Sequence, residues 1–170
     1  MVKKVAVNVR EAKLMEQAFS KNSFRYLTLD EHKVLDKAYK ALKESEVYNK
    51  VGWEIQAEAE RLVAEKCMPE WNRISEEMKP LGELRNKLAK EKAEIPEDWV
   101  WEAEKEAQLN GLDKEMSDLS AEYQKVTDEA NAELNEFKEE KINNTKEACF
   151  FLSEEDYQFV GELCWFYSAN

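Results

Sequence analysis

A seven-residue rhythm of apolar side chains in the second half of the chain constrains the fold more than any other feature. From Leu109, the residues Leu112, Met116, Leu119, Tyr123, Val126 and Ala130 recur at steps of three and four, with Phe137 seven further on. That spacing lines one face of an α-helix and makes the seam of a coiled coil, which has to be buried against another helix. Charge around the seam is one-sided. Residues 97–140 hold fifteen Asp and Glu against four Lys, a net of −11 in a chain whose total is −12. Four Gly and three Pro in 170 residues, with 36% charged residues, suit long helices rather than a loop-rich enzyme. The fold class that follows is mainly α: an elongated helical hairpin or coiled coil with a small α(+β) head formed by both termini.

The ends carry the mixed signals. Val5, Val7 and Val9 alternate with Ala6 and Asn8 as in a short strand, and Asn8 with Glu11 caps a helix through Leu14, Met15 and Phe19, so strand and helix fit in succession. Phe24 to Leu29 alternates aromatic and aliphatic residues like a strand. Thr28 with Glu31 forms a capping box, opening a helix that buries Leu35, Ala38, Tyr39 and Leu42. At the other end Cys149 to Leu152 is a short apolar run, and Ser153-Glu-Glu-Asp156 opens a helix through Tyr157, Val160, Leu163, Cys164 and Phe166. Tyr26–Glu31 and Phe151–Asp156 thus share one plan, which either an internal repeat or two independent capped helices would produce.

Between the ends the stripe Val47, Val51, Ile55, Ala59, Leu62 is helical, and its phase slips after Leu42, predicting a bend over 43–46. Pro69 is expected to end or kink that helix, and Pro80 with Gly82 to kink or break the next stripe, Trp71, Ile74, Met78, Leu81, Leu84 and Leu88. Ile95-Pro96-Glu97-Asp98 marks a reversal. Residues 70–93 and 97–141 then read as the arms of an antiparallel hairpin. The second arm is expected to continue through Asn110-Gly111, since Leu109 and Leu112 stay in register and a helical Gly costs only about 1 kcal/mol; it would be about 65 Å long. The expected division is a mixed head from 1–45 and 143–170 and an acidic hairpin from 46–142. Charge follows it, at +4 for 1–45, −12 for 46–142 and −4 for 143–170.

Most catalytic chemistry is excluded by residue supply. Gly52, Gly82, Gly111 and Gly161 are too far apart for a phosphate-binding loop, and a single histidine, His32, rules out zincin and paired Glu-x-x-His sites. His32, in the first turn after a cap, reads as a surface residue. Cys67, Cys149 and Cys164 are odd in number and widely spaced, as free thiols would be. Glu54, Glu58, Glu65, Glu76 and Glu77 near helical seams leave a carboxylate-bound divalent metal as a remote alternative. No cofactor is expected. No window approaches the roughly 20 apolar residues of a membrane span and the N-terminus lacks a secretory core, so the expected location is cytoplasmic.

The acidic arm is the better lead. With Leu109, Met116, Tyr123, Ala130 and Phe137 at heptad position a, Glu115, Glu122, Glu129 and Glu136 all fall at g, the position that selects a partner. In an antiparallel hairpin the facing positions are Glu77, Leu84 and Glu91, and in a parallel self-dimer Asp113, Ser120, Thr127 and Leu134, so neither arrangement supplies cations. A solvated face accounts for such a ladder. So does a surface that meets a basic partner, up to mimicry of nucleic acid, where Asp118, Asp128, Glu133 and Glu140 would fill the intervals of about 10.5 Å between g residues. Trp99 and Trp101 at the reversal diverge by about 200° if helical, so one of them is expected to be exposed as an apolar anchor. Tyr157, Phe159, Trp165, Phe166 and Tyr167 fit burial in the head better than an exposed patch.

The function expected from these residues is non-enzymatic: an inhibitor or adaptor docking on a basic protein surface, including that of a nucleic-acid-binding protein, through Glu115, Glu122, Glu129, Glu136, Asp118, Glu133 and Glu140, with Trp99 or Trp101. The alternative is a homo-oligomeric coiled-coil scaffold. No membrane and no direct nucleic-acid contact are expected.

Overall fold

Short polar residues set where the helices start in the computed structural model, which describes residues 2–21, 26–96 and 99–166. Asn8 and Glu11 cap each other reciprocally, the Glu11 N–H donating to Asn8 Oδ1 at 2.8 Å and the Asn8 N–H to Glu11 Oε1 at 3.0 Å. This stops strand β1 (Lys4–Val7) and starts helix α1 (Val9–Lys21). Thr28 and Glu31 make the full capping box that opens α2 (Leu29–Glu44). Ser153 accepts from the Asp156 N–H at 3.2 Å, ending β2 (Phe150–Ser153) and starting α6 (Glu154–Cys164). The strand expected over Phe24–Leu29 is not formed in its described part. Tyr26 lies in a turn, 99% exposed, and Thr28 is committed to capping; Phe24 and Arg25 lie outside the described residues. The two look-alike segments therefore share a cap and not a strand.

The bend after Leu42 is a true break. Ser45 is extended, at φ −69° and ψ 116°, between α2 and α3 (Glu46–Leu62). Pro69 and Pro80, however, neither end nor break the helix that follows. A π-helical turn, Val63–Cys67, joins α3 directly to α4 (Met68–Ala93), with the Met68 N–H bonded to the Val63 carbonyl. The wider turn carries one extra residue, and Pro69, which has no N–H to give, sits just after it in the first turn of α4. Pro80 lies inside α4 with Glu76, four residues earlier; both are exposed, so water can serve the carbonyl that loses its donor. Helix α5 (Ala103–Asn144) runs unbroken through Asn110-Gly111, as expected, but begins after the two tryptophans of the reversal.

The chain divides into two compact units, Met1–Ala57 with Glu136–Asn170, and Glu58–Asn135. In the first, β1 and β2 pair antiparallel, Lys4 opposite Ser153 and Val7 opposite Phe150. Helices α1, α2 and α6 bury one face of this ribbon around Val7, Met15, Leu35, Leu42, Leu152 and Val160. Ser45, the one buried polar residue among those described, donates to the Cys149 carbonyl at 2.8 Å and accepts from the Tyr48 N–H at 3.2 Å, so a single hydroxyl caps α3 and holds the approach to β2. The α5 end belongs to this unit because Ile142 packs with Val9 and Val51. Of the C-terminal aromatics, Trp165 is buried, Tyr157 and Phe159 are half-buried, Phe166 is exposed and Tyr167 lies outside the described residues.

In the second unit the arms are antiparallel. Lys66 meets Glu133, Trp71 meets Tyr123 and Thr127, and Leu88 packs on Leu109 and Leu112, so contacts advance along one arm as they retreat along the other. Leu109, Leu112 and Ala130 are buried, while Met116, Leu119 and Val126 are only half-buried, as expected where two helices alone share a seam. Trp71 is the central cross-link: its ring stacks on Tyr123 with centroids 5.3 Å apart, and its Nε1 donates to Thr127 Oγ1 at 3.1 Å.

Two stability predictions follow from these contacts. Trp71→Ala should lower the unfolding free energy by about 2–3 kcal/mol, below the range for a fully buried Trp because the ring is partly exposed, whereas Trp71→Phe should retain more than half of it by keeping the stack; urea unfolding checks both. Burial holds the Cys149 and Cys164 thiols up to about 11, above the ordinary 9.0. The unfolded chain then loses these protons first as pH rises, so their contribution is complete below pH 9 and falls away between 9 and 11. The thermal midpoint should drop across that window, and less so in a Cys149→Ala, Cys164→Ala variant.

Candidate partner-binding face

On α5 the acidic residues of the second unit, Asp128 apart, stand in two rows beside the seam. Glu115, Asp118, Glu122, Glu129 and Glu133 fall within about 60° of one another at 100° per residue, and Asp113 and Glu106 flank the other side. The two rows differ in how far cations reach them. On the second side, Arg85 bridges to Asp113, Lys92 Nζ lies 2.7 Å from Glu106, and Lys105 Nζ lies 3.5 Å from Glu91. On the first side, Arg73 Nη2 lies 3.0 Å from Glu122 and Lys66 Nζ 2.6 Å from Glu133.

The expectation that the glutamate ladder has no cation in this chain is therefore wrong for Glu122 and, in the interval, Glu133. Within the hairpin, the directly facing g positions, Glu77, Leu84 and Glu91, supply no cation. Arg73 stands one turn before Glu77 and reaches across diagonally. It also binds Glu70 and Glu77, each at 3.0 Å, so three carboxylates surround one guanidinium, raise its pKa and leave the cluster net negative. Glu115, Asp118 and Glu129 are exposed and make no side-chain hydrogen bond or ion pair among the described residues. Glu136 and Glu140 are also exposed and without such partners, but they belong to the first unit. The second unit holds twenty-one acidic and eleven basic side chains, a net of −10.

At the reversal the tryptophans part company, though not by helical divergence, since both precede α5. A turn in which the Trp99 N–H donates to the Pro96 carbonyl at 3.0 Å leaves the Trp99 side chain 69% exposed, beside Val100 at 91%. Trp101 is half-buried, with Lys92 and Lys105 ammonium groups 5.9 and 5.6 Å from its ring centroid, so its faces are already engaged. Trp99 alone is free to act as an anchor. It borders a pocket of about 330 Å³ whose walls include Glu91, Glu94 and Glu102.

Four of the five carboxylates considered for a metal have other partners, and the fifth, Glu76, is exposed. Glu54 pairs with Lys141 at 2.7 Å, Glu58 and Glu65 with Arg61 at 2.6 and 2.8 Å, and Glu77 with Arg73. The bonds from Lys141 and Arg61 hold the Glu54 and Glu58 carboxyls below their usual range. Among the described residues no group of three or more His, Cys, Asp and Glu is placed to hold a metal ion, and no helix is long and apolar enough to cross a membrane. His32 is half-buried. Comparison with family models, curated proteins and solved structures gave no match.

Because Arg73 is exposed, its three bonds should be screened by salt. Arg73→Gln should lower the thermal midpoint at low ionic strength, and the difference from the parent chain should shrink as salt is raised to 1 M.

Proposed function

We propose that this chain acts by binding, as an inhibitor or adaptor that docks on the basic surface of another protein through the acidic flank of α5, with Trp99 inserting as the apolar anchor. The observation that carries this reading is the set of exposed carboxylates, Glu115, Asp118 and Glu129, left without a counter-ion among the described residues on a flank where Arg73 and Lys66 reach only Glu122 and Glu133. Uncompensated like charge destabilises a compact unit, and a cationic partner relieves it while speeding encounter. An exposed Trp in the same unit, at a pocket walled by Glu91, Glu94 and Glu102, is the residue type that most often carries binding energy at an interface. A nucleic-acid-binding protein is the partner class whose groove best fits a row of carboxylates. Glu136 and Glu140 extend the acidic pattern in sequence.

Self-assembly through the seam has less support. Leu109 and Leu112 are already packed on Leu88, and Tyr123 on Trp71, so a second copy would have to displace contacts within the chain.

The test is capture of partners from the native cell lysate at low and moderate salt, with the parent chain, a Glu115→Lys, Asp118→Lys, Glu129→Lys variant and Trp99→Ala. A partner with a basic surface should be lost on charge reversal and as salt rises, and Trp99→Ala should weaken it about tenfold or more. A partner retained equally by all three proteins would overturn the proposal.

A further inference from the structure

A pocket of about 290 Å³ opens within the first unit, where α1, α3 and the end of α5 meet. Its floor is apolar, formed by the buried side chains of Val9, Val51 and Ile142 with Ile55 packed against them. Trp53 stands at the rim with 73% of its surface exposed. Gly52 also lines the pocket, and an added Cβ there would meet nothing within 4 Å. Glycine inside a helix is unfavourable relative to alanine, and no atom of the protein comes close enough here to require it. What the missing side chain leaves is open volume in the pocket.

The charged residues of the pocket wall are Lys13 and Glu16, and only Lys13 lacks an ion pair among the described residues. The charges around Lys13 are Arg10, Glu16, Lys138 and Glu139. Both carboxylates are taken: Glu139 by Arg10 at 2.9 Å, and Glu16 by Lys43 at 3.7 Å and by the Tyr48 hydroxyl, which donates to it. Lys13 and Lys138 have no ion pair among the described residues, and Lys13 is half-buried at the pocket wall. Burial first, then Lys138, lowers the Lys13 pKa, which reports the same missing anion.

We infer that this pocket binds a small aromatic carboxylate, its ring on the Val51 and Ile55 floor against Trp53 and its carboxylate on Lys13 Nζ. The volume lies at the low end for ligand sites, which selects a ligand of one ring or a fused pair. A flat apolar body matches an exposed indole beside an aliphatic floor, and a single anionic head matches a single unpaired ammonium. This site is independent of the acidic flank of α5.

The experiment is a titration of the full chain, ¹⁵N-labelled, with indole-3-acetate, using indole-3-acetamide as the uncharged control. Saturable shifts should appear at the Gly52 amide and the Trp53 indole, with the amide binding at least about tenfold more weakly. Lys13→Gln should weaken the acid about tenfold while leaving the amide unchanged. Gly52→Leu should abolish binding of both while the thermal midpoint holds or rises, since it fills the pocket and removes a helical glycine. Absence of saturable shifts up to about 10 mM, equal binding of acid and amide, or indifference to both substitutions would overturn the inference.

Discussion

The first unit depends on a pairing of four residues with four, Lys4–Val7 with Phe150–Ser153, made across almost the whole chain. The loop it closes is long, but closure entropy rises only about 0.6 kcal/mol for each doubling of loop length. A two-stranded ribbon is at best marginal alone, so its stability has to come from what covers it. Alternation decides which side is covered: Val7, Phe150 and Leu152 point into the helices while Ala6 and Phe151 face outward. Two polar ties then fix the helices around the ribbon. Ser45 holds the Cys149 carbonyl, and the Tyr157 hydroxyl donates to Glu11, which is itself occupied in capping α1. Each of these side chains serves a local element and a long-range contact together, so local and tertiary structure favour the same arrangement.

The second unit solves a different problem, that of holding two arms together under a net charge of −10. Apolar contacts at Leu88, Leu109 and Leu112, and the Trp71 stack on Tyr123, supply attraction. Cations are spent where the arms meet: Lys66, Arg73, Arg85 and Lys92 all reach from the first arm to carboxylates of the second. Exposed pairs of this kind add little stability individually, but placing them at the junction keeps like charges from facing each other there. The surplus of acid is consequently displaced outward, onto Glu115, Asp118 and Glu129.

What was legible in the sequence was what short-range chemistry determines. Asn8–Glu11, Thr28–Glu31 and Ser153–Asp156 each place a cap and an acceptor within one turn, and all three caps form. The heptad seam and the passage of α5 through Gly111 are likewise set within a few residues. The π turn leaves only a trace, a step of five between the buried positions Leu62 and Cys67 within a rhythm of threes and fours. A proline read alone predicts an end or a kink in a helix, and only the widened turn before Pro69 shows how the helix continues. For a related reason Pro80 does not break α4, since its tolerance depends on lying toward solvent. The diagonal bonds of Arg73 and the pocket beside Lys13 were not legible, because each joins residues that no local period relates.

These departures from local rules divide into two kinds, and the division separates structure from function. The π turn is compensated inside the molecule: it accommodates Pro69 and brings Cys67 and Ile74 back to buried positions. Gly52 inside a helix, Lys13 half-buried without an anion, Trp53 and Trp99 exposed, and carboxylates without cations are each locally unfavourable, and packing within their own unit offers no compensation. Chance would scatter such features singly. Here they carry opposite signs in the two units, an exposed aromatic and unpaired carboxylates in one and an exposed aromatic beside an unpaired ammonium in the other. An indole supplies apolar area with few rotatable bonds to freeze, and a desolvated charge gains most from a partner of the other sign, so each pairing combines the two terms that make recognition favourable outside the chain when neither is satisfied within it.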